Sequence, residues 1–216
     1  MSSPKLLKGG LIILAPGGST PRRVISLQYN PDLLTRSYQV QGVGGEEKGE
    51  RAQPFRLKGA AVESIKLDAE IDATDQLEFP DRNRVATEAG IAPEIALLEA
   101  LVNPTTRELL AVDADARGGT LEILPPEAPL VLFIWGRNRI APVRVTEFSV
   151  TEEAFDPELN PIRAKVSLGV RVLTVDDLGY AHRGGTLFLS YLRSREALAA
   201  RASAATLEML GISNLP

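Results

Sequence analysis

Residues 129–177, PLVLFIWGRNRIAPVRVTEFSVTEEAFDPELNPIRAKVSLGVRVLTVDD, decide how this chain reads. The stretch opens with two β-runs joined through the Gly136-Arg137-Asn138 turn. A loop bracketed by prolines, Ala154 to Pro161, follows, and then one long alternating segment. From Ile162 to Leu173 one face holds Ile162, Ala164, Val166, Leu168, Val170 and Val172. The other holds Arg163, Lys165, Ser167, Gly169 and Arg171. Period-two alternation of this kind predicts a strand with one face on a core and one in water.

Working outward, Ser64 to Asp72 repeats the pattern. Ile65, Leu67, Ala69 and Ile71 fall on one side, with Lys66, Asp68, Glu70 and Asp72 on the other. Ser64 to Asp72 thus has a mainly acidic wet face, and Ile162 to Leu173 a basic one. Arg22 to Tyr29 and Thr35 to Gln41 read as two more strands joined by the Asn30-Pro31-Asp32 turn, and Leu11 to Ala15 as a first strand. Gly42 to Pro54 is rich in glycine and charge, so a mobile surface loop is expected at about 42–58. A helix is expected over 91–102, with Pro93 near its start and Asn103-Pro104 as its stop. Another is expected over 187–210, with Phe188, Leu192, Ala199, Ala202 and Met209 near one face and Arg195 interrupting that stripe. Many short strands with helices between and after them predict an α+β, β-rich fold, a two-sheet sandwich or partly closed barrel. The expected division is a β domain over 1–178 and a helical extension over 179–216.

Composition narrows the functional classes. The 216 residues suffice for a real core, and the formal net charge of −4 argues against nucleic acid as the main partner. There is no cysteine, which removes disulfides and thiolate metal sites. The apolar run at Leu11 to Ala15 is too short for a signal core, let alone for the roughly 20 residues of a membrane helix. No membrane insertion and synthesis in the cytoplasm are therefore expected.

Catalytic chemistry finds little to stand on. The one histidine, His182, lies in a glycine-rich segment and reads as a solvated loop residue; no nucleophile elbow accompanies it. The carboxylates Glu152, Glu153 and Asp156, and Asp68, Glu70, Asp72 and Asp75, could in principle serve glycoside hydrolysis. The second set reads instead as a wet strand face or a charged protein interface. Gly42-Val43-Gly44-Gly45 runs into Glu46-Glu47 rather than a helix carrying Lys-Ser, so a phosphate cradle fails. No catalytic residue, metal or cofactor is expected. Arg163, Lys165 and Arg171, with Asp68, Glu70 and Asp72, are the candidate subunit-interface or lumen face. Trp135, Arg137 and Arg139 are a candidate contact turn.

Several strings together resemble the tube and baseplate-adaptor (tube initiator) proteins of contractile injection systems, the phage-tail-like bacterial machines. They are Asn30-Pro31, residues 34–36, 67–75, Gly90-Ile91-Ala92-Pro93, Leu98-Glu99 and 129–136. The most specific is 151–166, TEEAFDPELNPIRAKV. The resemblance implies the phage tail-tube fold with one packed helix. It also implies a homohexameric ring that joins the spike or hub to the inner tube, in contact with other baseplate subunits. The repeating inner-tube protein of the same machine is the alternative, and an accessory cell-wall hydrolase a more distant one. Relatives of this type often continue into a LysM module. This sequence stops at Asn214-Leu215-Pro216, through natural shortness or loss of a tail, so peptidoglycan binding is not expected of it.

Overall fold

A computed structural model describes residues 6–15, 20–42, 56–118, 128–203 and 205–213. Its strands are β1 (Gly10–Leu14), β2 (Pro21–Ser26), β3 (Leu34–Gln39), β4 (Val62–Asp72), β5 (Val131–Ile134), β6 (Ile140–Phe155) and β7 (Pro161–Val172). Helices α1 (Thr74–Leu77), α2 (Arg84–Ala89), α3 (Ala92–Glu99) and α4 (Thr106–Arg117) lie between β4 and β5. After β7 come α5 (Val175–Leu178) and α6 (Arg183–Ala199). The expected α+β, β-rich class is what is seen.

The strands hydrogen-bond into one sheet of order β2-β1-β5-β6-β7-β4-β3, and every pairing is antiparallel. β6 joins its two wings. Its first residues pair with β5 and the remainder with β7, and the register shifts between Val145 and Glu147. Such bulges bend a strand and raise its twist. The sheet is curled as a result, and two side chains show how far. Gln28 bonds both the carbonyl and the amide of Asp72 at the end of β4, at 2.6 and 2.9 Å. Two residues later, Asn30 bonds the Gly9 amide and the Leu7 carbonyl just before β1, at 2.9 and 2.8 Å. In a flat sheet β1 and β4, four places apart, would be about 19 Å from each other. The connection from β2 to β3 therefore crosses a gap between the wings of a barrel-like body, and β2 and β3 are its opposite edges rather than a hairpin.

The core fills that body. Leu11, Ile13, Val131 and Phe133 from one wing form a single apolar cluster with Ile65, Leu67, Val166, Leu168, Val170 and Val172 from the other. The alternation read from β4 and β7 is accurate: Ile65 and Val170 are buried, while Lys66, Asp68, Glu70, Lys165 and Ser167 are exposed. Gly169 departs from it, being buried under Glu147 on β6. α6 adds Phe188 and Tyr191 to the same cluster, so the helix of 179–216 shares the core of the sheet.

The helices differ more from expectation than the strands do. α3 spans Ala92–Glu99 and buries Ile95 and Leu98, ending before the predicted 102. α6 begins at Arg183 and stops at Ala199, and the predicted continuation is broken off as a separate 3₁₀ turn at Leu207–Leu210. Beyond Tyr191 and Leu192 the expected stripe is not covered by the described residues; Ala199 and Ala202 are exposed and Met209 is 76% exposed. A helix without a packed face gains little from further turns. The expected mobile loop at 42–58 lies almost wholly outside the described residues, whose nearest ends are tied by a bridge between Gly42 and Leu57.

Gly90 fixes how the helices meet the sheet. It ends α2 with φ +57° and ψ −131°, a conformation essentially reserved for glycine. A Cβ there would sit 2.0 Å from the Pro161 carbonyl oxygen. That same carbonyl accepts the Ile91 amide at 2.8 Å, which anchors the start of α3 to the start of β7. Gly90→Ala is expected to lose about 1–3 kcal/mol from backbone conformation alone, before the clash is counted. Urea denaturation measures it; a midpoint equal to wild type would refute the account of this junction.

Candidate functional site

The charged face is built by strand register. β4 and β7 place Asp72 opposite Arg163, Glu70 opposite Lys165, and Asp68 opposite Ser167. The acidic and basic stripes are thus one face, ion-paired within the subunit. Arg163 Nε lies 2.8 Å from Asp72 Oδ2 and 4.0 Å from Glu70 Oε1. Lys165 Nζ reaches across to Glu153 on β6 at 2.7 Å, and the Ser167 hydroxyl donates to Asp68 at 2.6 Å. Arg171 pairs with Asp177 of α5 at 2.8 Å, and Lys66 with Glu147 at 2.7 Å. Exposed pairs of this kind add little stability, but they leave the face of mixed charge rather than of one sign.

Titration follows the geometry. Burial alone would raise the Asp72 pKa, but hydrogen bonds from the Thr74 hydroxyl and amide, then Arg163, outweigh it and hold the carboxyl below its ordinary value. The hydrogen bond to Asp72 raises Arg163, and that to Glu153 raises Lys165. Burial likewise opposes ionisation of Asp177, and the Thr174 amide with Arg171 again wins.

A second constellation forms at the other end of β4, around Glu63. This carboxylate is only 3% exposed and points to the core side with Ile65, Leu67 and Ala69. Four side chains satisfy it: Arg36 Nε at 2.7 Å, the Tyr38 hydroxyl at 2.8 Å, the Tyr191 hydroxyl at 2.9 Å to its second oxygen, and Arg195 at 3.2 Å. The Arg195 guanidinium also lies 5.1 Å from the Tyr38 ring centre and 5.5 Å from that of Tyr191. Burial, then the nearby Glu63 charge, pushes the Tyr191 hydroxyl above its usual pKa, so it stays a donor. Beside this knot is a pocket of about 220 Å³ lined by Arg36, Trp135, Asn138, Arg139, Tyr191, Arg195 and Leu198.

The predicted contact turn divides here. Trp135 stacks on Phe133, with ring centres 6.0 Å apart and planes within 10°, and its amide bonds the Arg139 carbonyl at 2.8 Å. Trp135 and Arg139 line the pocket, whereas Arg137 points to solvent outside it. Glu63 went unnoticed in the sequence reading, although its odd-numbered place on the apolar face of β4 marks it.

The remaining candidates have structural duties. His182, exposed in the segment just before α6, caps that helix, its Nδ1 accepting the Gly184 amide at 3.0 Å. Gly184 and Gly185 form the first turn of that helix, and a Cβ at Gly185 would meet the Gly179 carbonyl at 2.1 Å. Asp156 organises the β6–β7 turn by accepting the Glu158 and Asn160 amides, both at 2.8 Å. Among the described residues no cluster of three or more His, Asp or Glu side chains is arranged to hold a metal ion. Nor is any described helix long and apolar enough to cross a membrane.

A curled antiparallel sheet with charged surfaces and a polar knot at one corner is a β-rich scaffold. The family model for contractile injection system tube protein matches residues 15–174, and the chain belongs to that family. No curated protein matches it significantly.

Because Asp72 titrates below an unfolded value of about 3.9, the stability it contributes is present above that pH and is lost as pH falls through the folded pKa. Asp72→Asn should therefore be less stable than wild type near neutrality and lose stability less steeply below about pH 4. Urea midpoints across that range decide it; parallel curves would remove Asp72 from the acid response.

Proposed function

We propose that this chain is the adaptor ring of a contractile injection particle, joining the spike or hub to the inner tube and initiating tube assembly. Family membership supports a structural tube-type role, with assembly into a particle with itself and other components. The observation that carries the finer reading is α6. It lies beyond the matched span and is fastened to the sheet by Phe188, Tyr191 and Arg195. A subunit repeated along a tube needs two axial faces that fit each other. A docked helix makes one corner chemically unlike the rest, which suits a subunit that meets two different neighbours.

The work in this reading is mechanical and needs no bond chemistry or cofactor. β2 and β3 end the sheet, and Val24 and Tyr38 on them are 65% and 41% exposed. Open edges invite pairing with another chain. A hexameric ring uses heterologous contacts, in which one surface meets a different surface of the next copy. The mixed-charge face of Asp68, Glu70, Asp72, Arg163, Lys165 and Arg171 is then available to the lumen or a neighbour. The partners are the spike or hub, the inner tube and other baseplate subunits, with assembly in the bacterial cytoplasm.

The family description itself favours a second reading, the repeating tube subunit. Electron microscopy of particles from cells lacking the gene separates them. The adaptor reading expects tubes detached from baseplates or loss of sheathed particles, with tube protein still produced. Baseplates that bear an empty sheath favour the repeating subunit, and normal contractile particles of full length contradict both.

A further inference from the structure

The pocket beside Glu63 holds more positive charge than the subunit neutralises. Arg36, Arg139 and Arg195 line it together. Glu63 already accepts Arg36, Tyr38, Tyr191 and Arg195, which fills both of its oxygens. Arg139 is half-buried and has no ion pair among the described residues. Burial, and then the neighbouring Arg36 charge, lowers its pKa. Trp135 and Leu198, the latter 41% exposed, give the same pocket an apolar wall. A site of this make fits a carboxylate carried next to an aliphatic side chain.

The opposite end of β6 presents that combination. Residues 152–158 carry Glu152, Glu153, Asp156 and Glu158 and no cation, whereas residues 136–144 carry Arg137, Arg139 and Arg144 and no acid. Within the tip, Lys165 holds Glu153 and the turn amides hold Asp156. Glu158 has no ion pair among the described residues, and Leu159 beside it is 78% exposed with φ +67°. The 16 residues of β6 separate tip from pocket, a contour of about 50 Å, and β6 is paired along its length. A subunit's tip therefore does not reach its own pocket.

We propose that the arginine pocket receives Glu158, with Leu159 against Trp135 and Leu198, from the β6–β7 turn of a second copy of this chain. The contact is heterologous, so successive copies join head to tail, closing into a ring where the angle allows. It rests on the tube-type assembly reading above and names the contact that reading lacks.

Charge exchange in the full chain tests it, read by native mass spectrometry and by light scattering during gel filtration. Arg139→Glu and Glu158→Arg should each weaken self-association by about tenfold or more, and the double exchange should recover most of the loss. Neither residue has an ion pair among the described residues, so thermal unfolding of the variants should match wild type. Glu158→Arg, on an exposed turn, keeps the test valid should Arg139→Glu unfold. Single variants that associate like wild type overturn the pocket contact and leave the ring reading standing. A wild-type chain that stays monomeric at high concentration overturns the self-contact, while the deletion experiment still decides the adaptor role.

Discussion

One buried carboxylate organises the corner on which the proposed contacts depend. Glu63 sits at an inward position of β4, where the pattern calls for an aliphatic side chain. An ionised carboxylate taken out of water costs several kcal/mol unless charge and hydrogen bonds replace its hydration. Replacement comes from two other elements: Arg36 and Tyr38 from β3, and Tyr191 and Arg195 one helical turn apart on α6. Residues four apart share a helix face, which is why Tyr191 and Arg195 reach the same carboxylate. The edge strand, its neighbour and the helix are thereby held in one register. The hydrophobic cluster could tolerate a small slide of α6 along the sheet, whereas this knot does not, because directional bonds specify position more sharply than apolar contact does.

Much of the sheet was legible because its signals are local. β4 and β7 alternate cleanly, and Pro157 and Pro161, on either side of Glu158 to Asn160, mark the turn that β6 and β7 share. The arrangement of strands was not legible: β2 and β3 follow each other closely in sequence yet form opposite edges. That depends on Gln28 and Asn30 reaching across the closing gap, a long-range event with no periodic trace. α4 is not among the helices predicted from the sequence, although Thr105 and Glu108 form a reciprocal capping box. Its Leu109 and Leu110 are exposed at 55% and 63%, so no amphipathic stripe announced it. His182 is exposed ahead of the helix, as read, but its capping of α6 was not legible, because glycines on both sides suggest flexibility when here they allow close packing at a helix start.

The charged residues teach a related lesson. Sequence alone separates an acidic face from a basic one and suggests two surfaces on two sides of a subunit. Pairing of β4 with β7 lays those faces side by side, and Asp72 with Arg163 and Lys165 with Glu153 neutralise each other. Along β6, charge stays unbalanced at the two ends, arginines at its start and acids at its tip. A polar subunit of that kind is suited to directional assembly, in keeping with the family to which the chain belongs.

Hydrogen–deuterium exchange of wild type against Glu63→Gln tests the organising role of Glu63 most directly. The amide keeps the shape and removes the charge. The account predicts that α6, Arg183–Ala199, and β3, Leu34–Gln39, lose protection together while the central strands β6 and β7 keep theirs. Unchanged protection in α6 and β3 would show that apolar packing alone positions them and would contradict it.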